Sequence, residues 1–295
     1  MGSMGNFITT ANTLKDHYWP LIKSRQTFLL ALTGVAGYLC ERPVSMDWPR
    51  FASLVGSLLV TIGGCTVLNM VFDRDIDQKM ARTRQRPLAA MQTHVGAAAA
   101  LGSALIVLGL LWALSLSVLY FSLALAGAGL DVLVYTLWLK RRSAWSILWG
   151  GLSGGIPILA SRALVVGRVD ATGLLLAFAI VGWIPSHNLT LGMLYSEDYL
   201  NAGVPTFINV YGLASTRAFV ALSSLLSVIL MAAAFIRLDL SLPVYAILGV
   251  SSLGLVGLAL YVWARSSQQA GSTLYKYSSF YMLAAMVLLM LSALK

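Results

Sequence analysis

Charge is scarce in this chain. It holds 20 basic and 11 acidic residues, so charged side chains make up 11% of its 295 positions while hydrophobic ones make up 58%. Soluble domains carry about 25% charged residues. A water-soluble fold of this size has too little interior to hide so much apolar surface. Cysteine is sparser still. Cys40 and Cys65 are the two present, both inside apolar blocks, which excludes a disulfide framework. The alternating segments of about ten residues that build a transmembrane β-barrel are missing as well. What is present instead is a series of long apolar blocks, the pattern of membrane-spanning helices. A net charge of +9 would suggest a nucleic-acid partner in a soluble protein. In a membrane protein it reflects lysines and arginines gathered on cytoplasmic loops, and no nucleic-acid partner is expected.

Nine apolar spans can be drawn: 27–40, 51–72, 95–115, 117–138, 144–166, 171–195, 217–236, 242–263 and 274–294. The expected architecture is an all-α integral membrane protein with nine transmembrane helices, because backbone polar groups in lipid must be satisfied within each segment. Met1-Gly2-Ser3 ahead of Met4 reads as a cloning remnant, with a single domain over 4–295. The polar, mixed stretch Asn6–Trp19 does not resemble a cleavable signal peptide.

The connections are unequal. Asp73–His94, the turn Lys140-Arg141-Arg142 and Ser196–Thr216 are long or charged and fall on one side. With the N-terminus on that side, it collects Lys15, Lys23, Arg25, Arg74, Lys79, Arg82, Arg84, Arg86, Lys140, Arg141, Arg142, Arg217, Arg265 and Lys276. The other side holds Arg42, Arg50, Arg162, Arg168, Arg237 and Lys295. This excess of fourteen cations over six puts the N-terminus and the long loops in the cytoplasm.

The second span closes on Asn69-Met-Val-Phe-Asp73-Arg-Asp75-Ile-Asp77. Asn69, Asp73 and Asp77 recur every four residues and share one helical face, with Asp75 pointing elsewhere. Three oxygen-bearing side chains in register suit a hard divalent cation, and Mg²⁺ takes one or two carboxylates together with substrate phosphates. Arg82-Thr-Arg84-Gln-Arg86 follows at once, and Lys140-Arg141-Arg142 ends span four on the same side. Guanidinium forks match phosphate oxygens. Acids for a metal beside bases for phosphate point to a metal–diphosphate complex; cytoplasmic topology alone is the competing account for both clusters, and a weaker one for Arg82 and Arg86, which lie so close to the acids. Tyr195-Ser-Glu197-Asp198-Tyr199 and Gly203-Val-Pro205 supply a second acidic centre after span six.

The two acidic motifs and the nine-span count resemble the UbiA superfamily of intramembrane prenyltransferases from about Leu21 onward. Asn69–Pro87, Tyr135–Arg142, the glycine-rich Gly150–Pro157, Trp183 with His187, and Asp198–Pro205 are most similar to its heme O synthase branch. Departures from that branch are Asn188 in place of an aromatic residue, Thr206-Phe207 after Pro205, Ser161-Arg162, and the extra acid Asp131. The resemblance implies helices around a central cavity and Mg²⁺-dependent transfer of a prenyl group from a polyprenyl diphosphate to a lipophilic acceptor. It implies Asn69, Asp73, Asp77 and Asp198 as metal ligands. Arg82, Arg86, Lys140 and Arg141 fall to the diphosphate, and Arg25 and His187 to the acceptor. Tyr135 either faces the allylic cation or belongs to the interfacial aromatic belt. Heme B, an aromatic acid, a quinone precursor and a glycerophosphate lipid stay open as acceptors. Membrane lipid is the only other expected partner, with no protein partner required. A transporter is disfavoured because most acids cluster at one cytoplasmic edge rather than near the bilayer centre.

Overall fold

A computed structural model describes residues 19–22, 24–42, 45–265 and 267–292, with the backbone alone for Trp19, Pro20, Ser24 and Arg25. The expected remnant at Met1–Ser3 lies outside the described residues. The regular structure among the described residues is helical, with no strand. The elements in chain order are α1 (Ser24–Leu39), α2 (Trp48–Phe72), a short α3 (Arg74–Lys79), α4 (Val95–Leu116), α5 (Val118–Leu139), α6 (Ser146–Val166), α7 (Ala171–Leu194), a short α8 (Ser196–Asn201), α9 (Phe207–Arg237), α10 (Leu242–Ala264) and α11 (Gln268–Leu291). Eight of them are long and apolar enough to cross a membrane, and α1 adds a shorter apolar helix over Gln26–Leu39. The nine expected spans are therefore all helices, and the protein is an integral membrane protein. Its outer faces carry Leu108, Leu111, Val250 and Leu253, all exposed, as a lipid-facing surface requires.

Local chemistry explains several boundaries. Asp47 caps α2 by accepting from the Arg50 N–H, and Asp170 caps α7 by accepting from the Gly173 N–H. Small residues let α6 and α7 approach closely. A Cβ on Gly155 would lie 2.8 Å from the Ala177 carbonyl oxygen, so the glycine-rich run Gly150–Gly155 is a packing surface. At the end away from the acids, Arg162 is buried and bonds Asp170 and Glu41, each at 2.8 Å, tying α6 to the start of α7 and the end of α1.

Three elements differ from the expected spans, and α11 simply starts earlier, at Gln268 rather than 274. α9 starts at Phe207 rather than 217, because Gly212 (φ 78°, ψ 171°) breaks the helix without ending it. A left-handed φ costs glycine little. The turn folds Phe207 back onto Phe219, whose ring is 4.9 Å away and nearly parallel. In α5, regular α-helix runs only to Gly129, and Leu130–Leu139 is a π-helix in which the Lys140 N–H bonds Tyr135 O, five residues back. Such segments turn side chains away from their α-helical positions and often occur at functional sites.

Candidate active site

The helices enclose a cavity of about 690 Å³. Leu30, Leu58, Ile62, Ile156, Ile184, Met282 and Met286 give it largely apolar walls, while Asn69, Asp73, Asp77, Arg82, Arg86 and Lys140 gather at one end. A pocket of this shape matches a ligand with a long apolar body and one charged group.

The acidic face survives a change of helix. α2 stops at Phe72 and α3 begins at Arg74, but the Asp73 N–H bonds Asn69 O at 2.9 Å and the Asp77 N–H bonds Asp73 O at 2.8 Å. The four-residue stacking of Asn69, Asp73 and Asp77 is thereby kept. Asp73 and Asp77 are each only 3% exposed. Asp75 points out to the surface, as its register requires, and meets Arg141 at 2.6 Å. Hydrogen bonds from that guanidinium hold the Asp75 carboxyl down at about 2.

Each buried acid has its own cation. Lys140 Nζ donates to Asp73 Oδ2 at 2.5 Å, and Arg86 Nη1 donates to both Asp77 oxygens at 2.9 and 2.8 Å. Two acids and two bases make a neutral quartet, which removes the repulsion that buried carboxylates alone would suffer. Lys140 also lies 5.7 Å from the centre of the Tyr135 ring, a cation–π contact, and Tyr135 lines the cavity. Arg82 lies 5.3 Å from the Tyr195 ring centre, and its backbone N–H reaches Asp198 Oδ2 at 3.4 Å, linking the two acidic motifs. Asp198 is half-buried at the rim, outside the cavity lining. Arg141 is likewise outside the lining, held by Asp75 and the Phe72 carbonyl. The Arg25 side chain lies outside the described residues.

Among the described residues no three His, Cys, Asp or Glu side chains form a ready cage for an ion. Mg²⁺ needs no such cage, because it fills most of its shell with phosphate oxygens and water. Asp73 Oδ1 fits the requirement: it is buried without a hydrogen-bond partner. A buried acceptor left unpaired is costly and is suited to receive a cation.

Deeper in the cavity, His187 is sandwiched between Trp183 (centroids 4.8 Å apart, 19° between planes) and Tyr275 (4.5 Å, 24°). Its Nδ1 lies 3.1 Å from Ser278 Oγ and 3.3 Å from Ser279 Oγ. Both serine hydroxyls also lie against the Tyr275 carbonyl, at 2.9 and 3.2 Å, so His187, the serine pair and that carbonyl form one hydrogen-bonded cluster. Asn188 lines the cavity beside this stack. Sequence reasoning found Trp183 and His187 but missed Tyr275, Ser278 and Ser279. The signal that could have found them is the hydroxyl-bearing run Tyr275-Lys-Tyr-Ser-Ser279 inside the ninth span. Asp131 also lines the cavity, from the π-helix.

Residues 30–287 match the model of the UbiA prenyltransferase family. The protoheme IX farnesyltransferase of Pyrobaculum neutrophilum is 34% identical over 263 residues, covering 89% of this chain and 94% of that one. The protoheme IX farnesyltransferase of Thermofilum pendens is 40% identical over 192 residues, covering 65% of this chain and 68% of that one. Among solved structures, that of digeranylgeranylglyceryl phosphate synthase superposes with a TM-score of 0.79 at 19% identity, covering 96% of this chain and 99% of that one. A UbiA homologue from Archaeoglobus fulgidus bound to DMAPP and Mg²⁺ superposes with a TM-score of 0.69 at 14% identity, covering 92% and 99%. At those identities the structures establish a shared fold. The family match spans most of the chain, and the helical bundle with its polar-ended cavity agrees with it: this chain belongs to the UbiA prenyltransferase family and is a membrane-embedded prenyltransferase.

Proposed function

We propose that the protein transfers a farnesyl group from farnesyl diphosphate to protoheme IX inside the membrane, with Mg²⁺ as cofactor. The observation that carries the reading is one cavity with a charged end, Asp73–Lys140 and Asp77–Arg86, and a flat aromatic stack at His187 farther along its wall. The relatives' names supply the acceptor, and the neighbour bound to a prenyl diphosphate and Mg²⁺ supports the donor.

Asn69, Asp73 and Asp77, with Asp198 at the rim, would hold the metal. When bound, Mg²⁺ offsets the negative charge that builds on diphosphate as the allylic C–O bond breaks. Lys140 and Arg86 sit on the acids that would take the metal, so they are placed to turn to the diphosphate oxygens. Arg82 lies at the mouth for the same anion, and Arg141 holds Asp75 beside it. The Tyr135 ring under Lys140 lines the cavity beside the charged end, where it would stabilise allylic positive charge, and the apolar walls would keep out water that could capture it.

The purified protein with Mg²⁺ and farnesyl or geranylgeranyl diphosphate should be offered heme B, 4-hydroxybenzoate and a glycerophosphate ether lipid, with product masses recorded. Farnesylated heme is the expected product. A prenylated aromatic acid or ether lipid with no heme product removes the heme reading and leaves family membership untouched.

The orientation belongs to the same proposal: the N-terminus and the loops bearing Asp73–His94 and Ser196–Thr216 face the cytoplasm. Both native cysteines are buried, so Gln85→Cys and Glu197→Cys add unique reactive thiols. A membrane-impermeant maleimide should label them in inverted vesicles and spare them in intact cells; the reverse pattern inverts the topology.

A further inference from the structure

Asn69 is the one neutral member of the acidic row, and an amide can offer the cavity either an oxygen or an NH₂ group. A hard cation accepts only the oxygen. Thr136, a residue outside the row, decides which is offered. Asn69 Nδ2 lies 2.9 Å from Thr136 Oγ1, and Thr136 Oγ1 lies 2.7 Å from the backbone carbonyl oxygen of Asp131. A carbonyl carries no proton, so two oxygens that close are held together only by the threonine's own proton. That proton is committed to Asp131, and Oγ1 has only lone pairs left for Asn69. The amide must then present its NH₂ to Thr136, because a flipped amide would set oxygen against oxygen. Thr136 is 1% exposed, so its environment leaves little room for water to relieve that clash.

The π-helix makes the arrangement. In an α-helix a threonine hydroxyl reaches the carbonyl three or four residues back; here it bonds the carbonyl five residues back, within Leu130–Leu139. The same segment sets the Lys140 N–H on Tyr135 O, so one distortion serves both Asn69 and the lysine paired with Asp73.

We propose that Thr136 is a positioning residue that locks the Asn69 amide with its oxygen turned away from Thr136 and available to a divalent cation beside Asp73. The proposal rests on the metal–diphosphate reading above. Residues that orient metal ligands typically change metal affinity by about 10–100-fold when removed.

The test measures Mn²⁺ binding by electron paramagnetic resonance, in the presence of inorganic pyrophosphate, on wild type, Thr136→Val, Thr136→Ser, Asn69→Ala and the double variant Asn69→Ala/Thr136→Val. Thr136→Val should weaken Mn²⁺ binding by about 10–100-fold. Thr136→Ser, which keeps the hydroxyl, should bind as wild type does. Adding Thr136→Val to Asn69→Ala should cause no further loss, because its effect passes through Asn69. Should the valine variant not fold, Thr136→Ala takes its place in the same cycle. Wild-type affinity in the valine or alanine variant, or a full additional loss in the Asn69→Ala background, overturns the positioning role while the cation reading stands. Absence of Mn²⁺ binding in the wild type overturns the cation reading itself, and this inference with it.

Discussion

Asp73→Asn and Asp77→Asn are expected to cut turnover by at least about 10²–10³-fold, the scale of losing one preorganised charge partner for the transition state. Asparagine is the informative substitution at both places. It keeps the side-chain volume and can still accept a hydrogen bond from Lys140 or Arg86, but it removes the negative charge. Alanine would also abolish turnover, but it would strand a cation against a wall where each acid is 3% exposed. Breaking a buried pair in that way costs about 3–5 kcal/mol, so lost folding would mix with lost chemistry. Asp75→Ala is the control. Asp75 pairs with Arg141 at the surface, where both side chains are about half exposed, and such pairs contribute at most about 1 kcal/mol. Its effect on turnover should stay within a few-fold. Turnover near wild type in either asparagine variant at saturating Mg²⁺ would show that the buried acids do not serve the cation.

The quartet also explains why a site built for so much charge is compatible with a membrane-embedded fold. A diphosphate with its metal would bring several charges of both signs into the bundle. Without them, Asp73 and Asp77 neutralise Lys140 and Arg86 internally. On the proposed reading each pairing would be an exchange position: a carboxylate that left its cation for a metal would free that cation for phosphate oxygen. Asp73 Oδ1, buried without a hydrogen-bond partner, is the carboxylate oxygen that would be free for the metal before any exchange.

The legible part of this molecule was the part written in period and composition. Apolar blocks of bilayer length gave nine helices, because lipid leaves few alternatives for a backbone. The spacing of Asn69, Asp73 and Asp77 gave a shared face, and two consecutive backbone bonds carry that face across the break at Asp73. What was hidden depends on irregular backbone. Nothing in Leu130-Asp-Val-Leu-Val-Tyr135-Thr marks a π-helix, because its residues are ordinary helix-compatible types, and so the role of Thr136 was invisible. Gly212 was equally mute: a glycine inside a polar-looking connection reads as loop, whereas here it folds one helix segment against another. Tyr275 was missed for a third reason. It meets His187 from a helix far away in sequence, and single-chain periodicity carries no information on which helices become neighbours.

His187→Ala is expected to lower heme farnesylation by about 10²-fold or more while the affinity for farnesyl diphosphate stays within about threefold, since His187 belongs to the acceptor end of the proposed site. The imidazole is fixed on three sides, by the Trp183 ring, the Tyr275 ring and the serine pair at Nδ1. The serine contacts are all made to Nδ1. None of these contacts involves Asp73, Asp77, Lys140 or Arg86, so the diphosphate end should not sense the loss. The measurement is a pair of titrations, farnesyl diphosphate by calorimetry and heme B by its visible absorption, alongside product formation. Trp183→Phe is the companion variant: it keeps a stacking ring but loses the indole N–H that bonds the Ser278 carbonyl at 2.8 Å. It should weaken heme use more mildly than His187→Ala. A parallel fall in diphosphate affinity in His187→Ala would instead make the stack a brace between α7 and α11, and the acceptor would then have to lie elsewhere along the cavity.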